Sequence, residues 1–427
     1  MRRLYNLLIT FAAPFAFAIV LARAVRNRAY RPGLGERFGF GSRRGVRSVW
    51  LHAVSLGEVA ASAPLVRALL ARVPAPHLVL TTATPTGRSR ARELFGAAVD
   101  VRYLPYDTVA AVARFLDRID PELGVIVETE LWPNLFAGCA RRGVPLLLAS
   151  ARISAKSTAR YQGFAGVFAG ILGNVTVAAQ TRTDAERFIA LGAELERTHV
   201  VGNVKFDIEL APALLEQGRL LRARTFGSRP VWVAGSTHAG EEEAALEAHR
   251  PVFAATGALL VLAPRHPNRF EAVAALLERG GWRFERWSAM KQLPHGVEAD
   301  RQVLLVDTVG ELQGLYAAAD VAFVGGSLVP IGGHNLLEPA AIGLPVLTGP
   351  STFNAADIAA LLVSRGGARL VGDAAELGAA VLALLADPQG RHAAGESARA
   401  AVHENRGSVA RLIALIDAAR EHRAASR

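Results

Sequence analysis

The sequence predicts an α/β protein built from two doubly wound domains with parallel sheets. The first observation is length, because 427 residues are too many for one ordinary core. The second is that short, continuously apolar runs alternate with longer segments of helical periodicity, as in sheets buried on both faces. The third is a break near residues 205–228, which separates two such series and predicts one domain on each side.

The predicted strands form these two series. In the first series they are residues 48–54, 77–83, 100–106, 123–130, 144–150 and 175–180. In the second series they are residues 230–237, 258–267, 302–308, 320–327 and 344–350. The segment THVVGNVKFD, residues 198–207, leads out of the first series, and from about residue 388 the Arg- and Ala-rich pattern predicts a helical tail.

An apolar segment at the amino terminus predicts attachment to a membrane. Residues 4–22 carry no charge over 19 positions, which is about the minimum for spanning a bilayer. The arginines that follow outnumber those that precede, so we expect the main body to lie in the cytoplasm. A cleaved signal peptide is the alternative, because ARA at 22–24 resembles a cleavage site. Pro14 leaves open whether the segment spans the bilayer or enters one leaflet.

The charge and cysteine content limit the classes of binding partner and the cellular compartment that we expect. The net charge of +10 comes from arginine, since the chain has only three lysines, Lys156, Lys205 and Lys291. A basic surface suits nucleic acid, anionic lipid or a phosphorylated substrate, but no known nucleic-acid module is present, so nucleic acid is the weaker interpretation. The single cysteine, Cys139, excludes an internal disulfide framework and fits a reducing compartment.

Polar and glycine-rich clusters follow most of the predicted strands, where doubly wound domains bind ligands. The richest cluster lies within residues 323–347, where two glycine pairs precede His334 and Asn335 at a predicted helix start. This pattern favours nucleotide binding, with a phosphate at the helix and Glu338 on the ribose hydroxyls. The alternative is that Asn335 and Glu338 only cap the helix.

Two more clusters of the second series predict anion binding. Arg265 and Arg269 follow one strand, and arginine forks suit a phosphate or a carboxylate. GSTHAGEEE, residues 235–243, offers hydroxyls and His238 at another helix start, or else an ordinary cap followed by a solvated acidic face. The segment 307–312 is a candidate loop for reading the base.

Three acids in the first series are candidates for chemistry. Glu58 lies where a strand ends and a helix begins, so it either caps that helix or acts as a base. Glu128 and Glu130 lie at another strand exit and point the same way on an extended segment, so they share one site or pair with a nearby arginine. No acidic or His-containing motif has metal-ligand spacing, so we expect chemistry without metal and without a cofactor.

Taken together, these motifs resemble those of the 3-deoxy-D-manno-octulosonic acid (Kdo) transferases of lipopolysaccharide synthesis. The resemblance runs from about residue 1 to beyond residue 360, and two positions depart from it, Leu336 and Asn268. The shared motifs, in chain order, are ERFG, LHAVSLGEV, TTATPTG, ETELWPN, ARIS, GNVKFD, STHAGEE, PRHP, GGSLVPIGGHN and EPA.

The resemblance implies a GT-B glycosyltransferase, in which two Rossmann-like domains face a cleft and an N-terminal helix anchors the protein to a membrane. The implied organisation is an anchor at 1–30, an acceptor-binding domain at 31–206, a CMP-Kdo-binding domain at 207–400 and a helical tail at 401–427. It implies inverting transfer of Kdo from CMP-Kdo to lipid IV-A, a lipid A precursor. It also implies attachment to the bacterial inner membrane, with the catalytic domains on the cytoplasmic face.

The resemblance also assigns residues. Glu58 would be the general base, and we expect the helix start to lower its pKa and keep it ionised. Glu128 and Lys205 would stabilise the transition state. The CMP-binding positions would be Pro264, Arg265, Val309, Gly310, Glu311, Asn335, Leu336, Leu337 and Glu338.

Two alternatives belong to other classes of protein. One is a GT-B glycosyltransferase of envelope synthesis that uses a UDP-sugar, which donor choice would reveal. The other is a membrane-tethered, two-lobed solute-binding protein, which would have to lie outside the cytoplasm. The second alternative leaves Glu58, Glu128 and Lys205 without a common role.

Overall fold

The chain divides into two compact units in the computed structural model, which describes residues 2–43, 45–163, 165–290 and 296–425. The first unit is Met1–Asp207 together with Asn405–Arg427, and the second is Ile208–Glu404. Most of the segment expected to be a separate tail, 401–427, is thus part of the first unit.

The first unit contains a seven-stranded sheet in the order β3-β2-β1-β4-β5-β6-β7, and every neighbouring pair is parallel. Its strands are β1 (Ser48–His52), β2 (Leu78–Thr82), β3 (Val99–Tyr103), β4 (Pro121–Val127), β5 (Leu146–Ala151), β6 (Val175–Ala179) and β7 (Thr198–Val200).

The second unit contains another seven-stranded parallel sheet, in the order β10-β11-β9-β8-β12-β13-β14. Its strands are β8 (Val231–Thr237), β9 (Leu259–Pro264), β10 (Phe284–Arg286), β11 (Val303–Leu305), β12 (Val321–Val324), β13 (Val346–Thr348) and β14 (Ala368–Leu370). The α/β class with two doubly wound parallel sheets is therefore confirmed.

Helices connect the strands of both sheets. Those of the first unit are α1 (Arg2–Arg26), α2 (Leu56–Ala61), α3 (Ala63–Leu70), α4 (Pro85–Phe95), α5 (Val109–Ile119), α6 (Pro133–Arg141), α7 (Ala155–Gln162), α8 (Ala165–Leu172), α9 (Arg182–Ala190) and, after the second unit, α19 (Ser408–Ala425). Those of the second unit are α10 (Leu214–Leu221), α11 (Glu241–Thr256), α12 (Phe270–Arg279), α13 (Trp287–Met290), α14 (Leu312–Ala317), α15 (Leu337–Ile342), α16 (Ala356–Ser364), α17 (Ala374–Ala386) and α18 (Pro388–Glu404).

The apolar-run criterion found the buried strands and missed three strands at sheet edges. All residues of β1, β2 and β5 are buried, as a sheet covered on both faces requires. The missed strands, β7, β10 and β14, have three residues each. β7 lies at an edge of the first sheet, and β10 and β14 lie at opposite edges of the second sheet. Their side chains are half-buried or exposed except for Ala368, so they show no apolar run.

In each sheet, the earlier strands of the unit lie on one side of a switch point and the later strands lie on the other side. In the first unit it lies between β1 and β4, and in the second unit between β8 and β12. Doubly wound domains bind ligands beyond the carboxyl ends of the strands at such switch points. The segments after β1, β4, β8 and β12 are therefore the places to look for a site.

Candidate active site

A cavity of about 280 Å³ opens beyond the carboxyl ends of β1, β4 and β5 in the first unit. Glu58 reaches it from the start of α2, while Glu128 and Glu130 reach it from the end of β4. The other lining residues come from the end of β4, from the segment after β5 and from α7, namely Thr129, Arg152, Ile153, Ser154, Ser157 and Tyr161. The structure thus brings all three acids of the first series to one cavity.

The Glu58 carboxylate serves both the helix start and the cavity. One oxygen accepts the backbone N–H of Val54 at 2.7 Å, and the other accepts the Ser55 hydroxyl at 3.2 Å. Burial is the main cause that raises its pKa to about 7, and the charges of Glu128 and Glu130 contribute to this rise. The hydrogen bonds act in the opposite direction but do not outweigh burial.

The expectation of a lowered pKa for Glu58 is therefore wrong. It counted the favourable dipole of a helix start, which is worth less than about 1 kcal/mol at an exposed site and which α2 offers over only six residues. It left out desolvation and two acids that lie far along the chain. A carboxylate whose pKa is close to 7 accepts protons more readily than an ordinary one, so this shift improves a general base.

Glu128 forms an ion pair with Lys205. The Lys205 Nζ lies 3.1 Å from Glu128 Oε1, and the Arg152 Nε lies 3.9 Å from Glu128 Oε2. Glu128 has a φ of +60°, which is uncommon for a residue other than glycine, and this conformation turns the chain directly after β4. The alternative of pairing with a basic residue is thus present in the structure, with Lys205 as the nearer partner.

A short turn holds Lys205 in this position. The turn Val204–Phe206 begins at Asn203, whose side-chain oxygen accepts the backbone N–H of Lys205 at 3.0 Å. Asp207 follows, and its two carboxylate oxygens accept the backbone N–H groups of Gly407 and Val409, each at 2.6 Å. The carboxylate therefore caps α19, which ties the returning carboxyl-terminal segment to the lysine turn.

Glu130 is the third acid of the cavity. Burial raises its pKa as well. Two acids with raised pKa values and one ion-paired acid in one cavity form the pattern expected of a site for proton transfer.

In the second unit the glycine-rich segment folds around Glu241, at the start of α11. Its carboxylate is fully buried and accepts backbone N–H groups from His238, Gly326, Ser327 and Leu328. The suggestion that the acids after His238 form a solvated face is wrong for Glu241 and also for its neighbour.

That neighbour, Glu242, is equally buried and binds Arg269 through two hydrogen bonds of 2.9 and 3.0 Å. Arg269 is therefore used by the protein itself, whereas Arg265 is exposed. The sequence could not separate these two arginines, because their difference depends on an acid that packs from another helix.

The side chains of three histidines, His238, His266 and His334, contact one another beside the glycine-rich segment. The Nε2 atoms of His238 and His334 lie 2.7 Å apart with the rings stacked, and the ring of His266 meets His238 edge to face at 5.4 Å. Burial lowers the pKa of His238, and it lowers that of His334 to about 4, helped by Arg265 and the neighbouring histidines. Because one imidazole must donate and the other accept, this pair exists with at least one neutral ring.

The described residues include no group of three or more His, Cys, Asp or Glu side chains that could hold a metal ion. The three histidines and the three acids of the cavity belong to different units, and neither group has the arrangement of a metal site.

Comparisons with known proteins agree with the motifs. Residues 32–208 match the family described as 3-deoxy-D-manno-octulosonic-acid transferase (kdotransferase). A 3-deoxy-D-manno-octulosonic acid transferase of Haemophilus influenzae is 38% identical, covering 97% of this chain and 98% of the relative. One of Bordetella pertussis is 40% identical, covering 97% and 99%. The chain belongs to the Kdo transferase family.

The Kdo transferase also shares its fold with solved structures. A glycosyltransferase from Rickettsia africae covers 88% of this chain and 98% of its own, with a TM-score of 0.55 and 12% identity. An Anabaena protein solved with UDP covers 87% and 100%, with a TM-score of 0.54 and 15% identity. These likenesses concern the fold alone, and they confirm the GT-B class. Its membership of the Kdo transferase family, shown by the relatives of 38% and 40% identity, makes the protein a glycosyltransferase enzyme.

The positions expected to bind CMP lie at three places in the transferase's second unit, namely the end of β9, the loop between β11 and α14, and the start of α15. Pro264 ends β9, and Arg265 follows it. Val309 and Gly310 lie in the loop after β11, where Val309 is 75% exposed. The carboxylate of Glu311, which ends this loop, accepts the indole N–H of Trp287.

The remaining expected positions lie at the start of α15. The Asn335 side-chain oxygen accepts the Leu337 N–H at 3.1 Å, and its amide donates to Glu338 at 3.1 Å. The capping alternative is therefore present. Leu336 and Leu337 are buried, so their side chains are not available to a ligand. Burial raises the pKa of Glu338, while Asn335 and Arg265 act against the shift.

Sequence reasoning gave no role to several residues that line the cavity of the first unit. Arg152 and Ser154 were noted only within the ARIS motif, and Ser157 and Tyr161 of α7 were not singled out. The feature that could have identified them is their place in the chain, because they follow the end of a predicted strand that pairs with the strand carrying Glu128. Strand adjacency was not available from the sequence.

Proposed function

We propose that this Kdo transferase transfers Kdo from CMP-Kdo to lipid IV-A with inversion, without a metal or a cofactor. The single observation that carries the proposal is Glu58, a carboxylate with a pKa of about 7 in a cavity at the switch point of the first sheet. Such a group is a base near neutral pH, which a sugar hydroxyl needs in order to attack.

The proposed step is one displacement. The acceptor hydroxyl oxygen bonds to the anomeric carbon of Kdo as the bond from that carbon to the CMP oxygen breaks. CMP leaves with the electron pair, and Glu58 takes the proton of the hydroxyl. A positioned base of this kind contributes about 100- to 10,000-fold to the rate.

Glu128 and Lys205 are proposed to stabilise charge during this step. The distance of 3.1 Å between Lys205 Nζ and Glu128 Oε1 supports a role in which the carboxylate orients the ammonium group. The ammonium group can then face negative charge, either that of the departing phosphate or that of the acid group that Kdo carries.

The donor is proposed to bind the second unit, at the nine positions assigned by resemblance, and the acceptor to bind the first. Support comes from the exposed Arg265, whose guanidinium forms no ion pair with a carboxylate of the described residues, whereas that of Arg269 binds Glu242. Support also comes from Asn335 and Glu338, whose polar atoms pair with each other at the edge of the same unit.

We further propose that α1 holds the enzyme at the cytoplasmic face of the inner membrane, lying in one leaflet. Among the described residues, α1 is the helix long and apolar enough to cross a membrane. However, Tyr5 donates to Asp107 at 2.8 Å, and Phe17 packs on Phe38 at 4.8 Å. These contacts fix two points about 18 Å apart along the helix to the first unit, while the opposite face exposes Leu7, Leu8, Phe11, Phe15 and Ile19.

The membrane proposal can be tested by labelling. An Arg3→Cys variant in a Cys139→Ser background should resist a membrane-impermeant thiol reagent in intact spheroplasts and react after lysis, because Arg3 is exposed and precedes the apolar segment. Labelling in intact spheroplasts would show that the amino terminus crosses the membrane and would contradict the one-leaflet arrangement.

The function itself is tested by incubating the purified enzyme with CMP-Kdo and lipid IV-A in the presence of a chelator, followed by mass spectrometry. A product heavier by one Kdo unit is expected, and a second increment would show that two sugars are added. Transfer from a UDP-sugar but not from CMP-Kdo would contradict the proposal and favour the alternative glycosyltransferase.

A further inference from the structure

The second unit contains a buried carboxylate, Glu241, that forms no ion pair with any of the described residues. Glu241 is 0% exposed, and its Oε2 accepts the N–H groups of His238 at 3.0 Å and Gly326 at 2.6 Å. Its Oε1 accepts those of Ser327 and Leu328, each at 2.9 Å. No ion pair joins this carboxylate to any residue within the described ranges. Four backbone dipoles alone therefore hold it.

The place that Glu241 occupies is one that ligands usually take. Its donors belong to the segments after β8 and β12, the two strands at the switch point of this sheet. It also lies at the first turn of α11, a 16-residue helix, where the dipole favours negative charge. In doubly wound domains a glycine-rich loop and a helix start together bind a ligand phosphate at this point.

The glycine-rich loop is shaped to fit this carboxylate. A Cβ at Gly325 would lie 2.9 Å from Glu241 Oε2 and 2.7 Å from the Ser236 carbonyl oxygen, so only glycine fits there. Gly326 has a φ of +71°, which directs its N–H toward Glu241 together with the next two.

Hydrogen bonds connect the loop at residues 325–328 to the segment expected to bind the donor. The carbonyl of Gly326 accepts the N–H of Gly333 at 2.7 Å, and that of Gly325 accepts the N–H of His334 at 3.1 Å. Asn335 follows directly and reaches Glu338. An altered loop at 325–328 would therefore displace the segment that precedes α15.

We propose that the Glu241 carboxylate occupies the position in the second unit where a ligand phosphate would bind, which we call the phosphate seat. By doing so it positions the donor-binding segment 325–335. It is a positioning residue that acts through this segment and does not touch the donor. The amides of Gly326, Ser327 and Leu328 are thus closed to the donor phosphate, which must be bound by side chains such as Arg265. The inference rests on the proposed binding of CMP-Kdo by this unit.

Chemical rescue of Glu241→Ala tests the proposal. Removing the side chain beyond Cβ leaves space for an acetate ion and leaves four buried N–H groups without their acceptor. We expect the KM for CMP-Kdo to rise about 10- to 100-fold with a smaller change in kcat. Acetate should lower the KM again, whereas acetamide, which has the same shape but no charge, should not.

Glu242→Ala is the matched control, because it removes an equally buried charge from the next position of the same helix. Its partner is Arg269 and no loop amide, so acetate should leave its kinetics unchanged. In thermal unfolding, acetate should raise the Tm of Glu241→Ala while leaving those of the wild type and Glu242→Ala unchanged.

The results of these experiments distinguish a failure of the Glu241 proposal from a failure of the proposed transfer of Kdo from CMP-Kdo. A normal KM for Glu241→Ala, or a raised KM that acetate does not lower, would overturn the inference although the wild type turns over CMP-Kdo. A wild type inactive with CMP-Kdo would contradict the proposed function, and the Tm measurement would still decide whether the seat binds anions. If Glu241→Ala does not fold, Glu241→Gln decides: a wild-type KM for that neutral variant would overturn the inference.

Discussion

The two units place a carboxylate at corresponding positions, and the surroundings make the two groups opposite in character. Glu58 follows β1 at the start of α2, and Glu241 follows β8 at the start of α11. Glu58 accepts one backbone N–H, lies beside two more acids and lines a cavity. Glu241 accepts four backbone N–H groups and is fully buried.

The difference shows how one topological position can serve either chemistry or architecture. A carboxylate with all its lone pairs occupied by N–H donors has no acceptor capacity left for a substrate proton. A carboxylate with few donors and with acidic neighbours holds a proton more readily and stays available. The number of amides directed at the group therefore decides its role.

The largest expected effect is that of Glu58→Gln on turnover. We expect kcat to fall about 100- to 10,000-fold, because the amide cannot take the hydroxyl proton, while CMP binding measured by calorimetry stays as in the wild type. Glu93→Gln removes the same charge from an exposed position of α4 and should retain full activity. Turnover by Glu58→Gln near that of Glu93→Gln would refute the general-base assignment.

A smaller loss is expected from Lys205→Met, which removes the cation that Glu128 holds. Loss of one charge-stabilising donor costs roughly 100-fold in kcat. Because Glu128 acts through the lysine, the double variant Lys205→Met, Glu128→Gln should be no worse than Lys205→Met alone. Fully multiplicative losses in this double-mutant cycle would show that the two side chains act independently.

The pH dependence sharpens the contrast further. Glu58 must be deprotonated to act, so kcat/KM should fall as the pH drops through about 7, the pKa of this carboxyl. The charge of Glu130 raises that pKa, so Glu130→Gln should move the acid limb of the profile toward lower pH. A limb that stays in place, or moves upward, would contradict the coupling between the two acids.

The smallest expected effects are opposite changes in thermal stability. The pKa of Glu58 is raised from 4.5 to about 7 by folding, so its ionisation destabilises the folded state as the pH rises through 7. Glu58→Gln should therefore raise the Tm at pH 8, and the gain should vanish as the pH falls to about 4. Each kcal/mol changes the Tm by about 2–4 °C in domains of this size.

Glu241→Gln should instead lower the Tm at pH 8. Its NH₂ group would face backbone N–H donors, and each buried donor left without an acceptor costs about 1–3 kcal/mol. If both variants changed the Tm in the same direction at pH 8, the contrast between the two carboxylates would be lost.

Much of the fold could be read from local pattern. Strands such as β1 and β5, buried on both faces, appear as unbroken apolar runs, whereas the edge strands β10 and β14 do not. The position of Glu58 at a strand exit was equally visible, because the change from strand to helix periodicity is a property of neighbouring residues.

The sequence by itself determined the two doubly wound domains, the strand exits that carry the acids and the motifs of the Kdo transferase family. Only the tertiary structure decided the raised pKa of Glu58, the burial of Glu241 and the pairing of Arg269 with Glu242. It also decided that Asp207 caps α19 and so joins the end of the chain to the first unit. The physical reason is that desolvation and hydrogen-bond supply depend on groups far apart in sequence, such as Glu241 and the amides 85 to 87 residues beyond it.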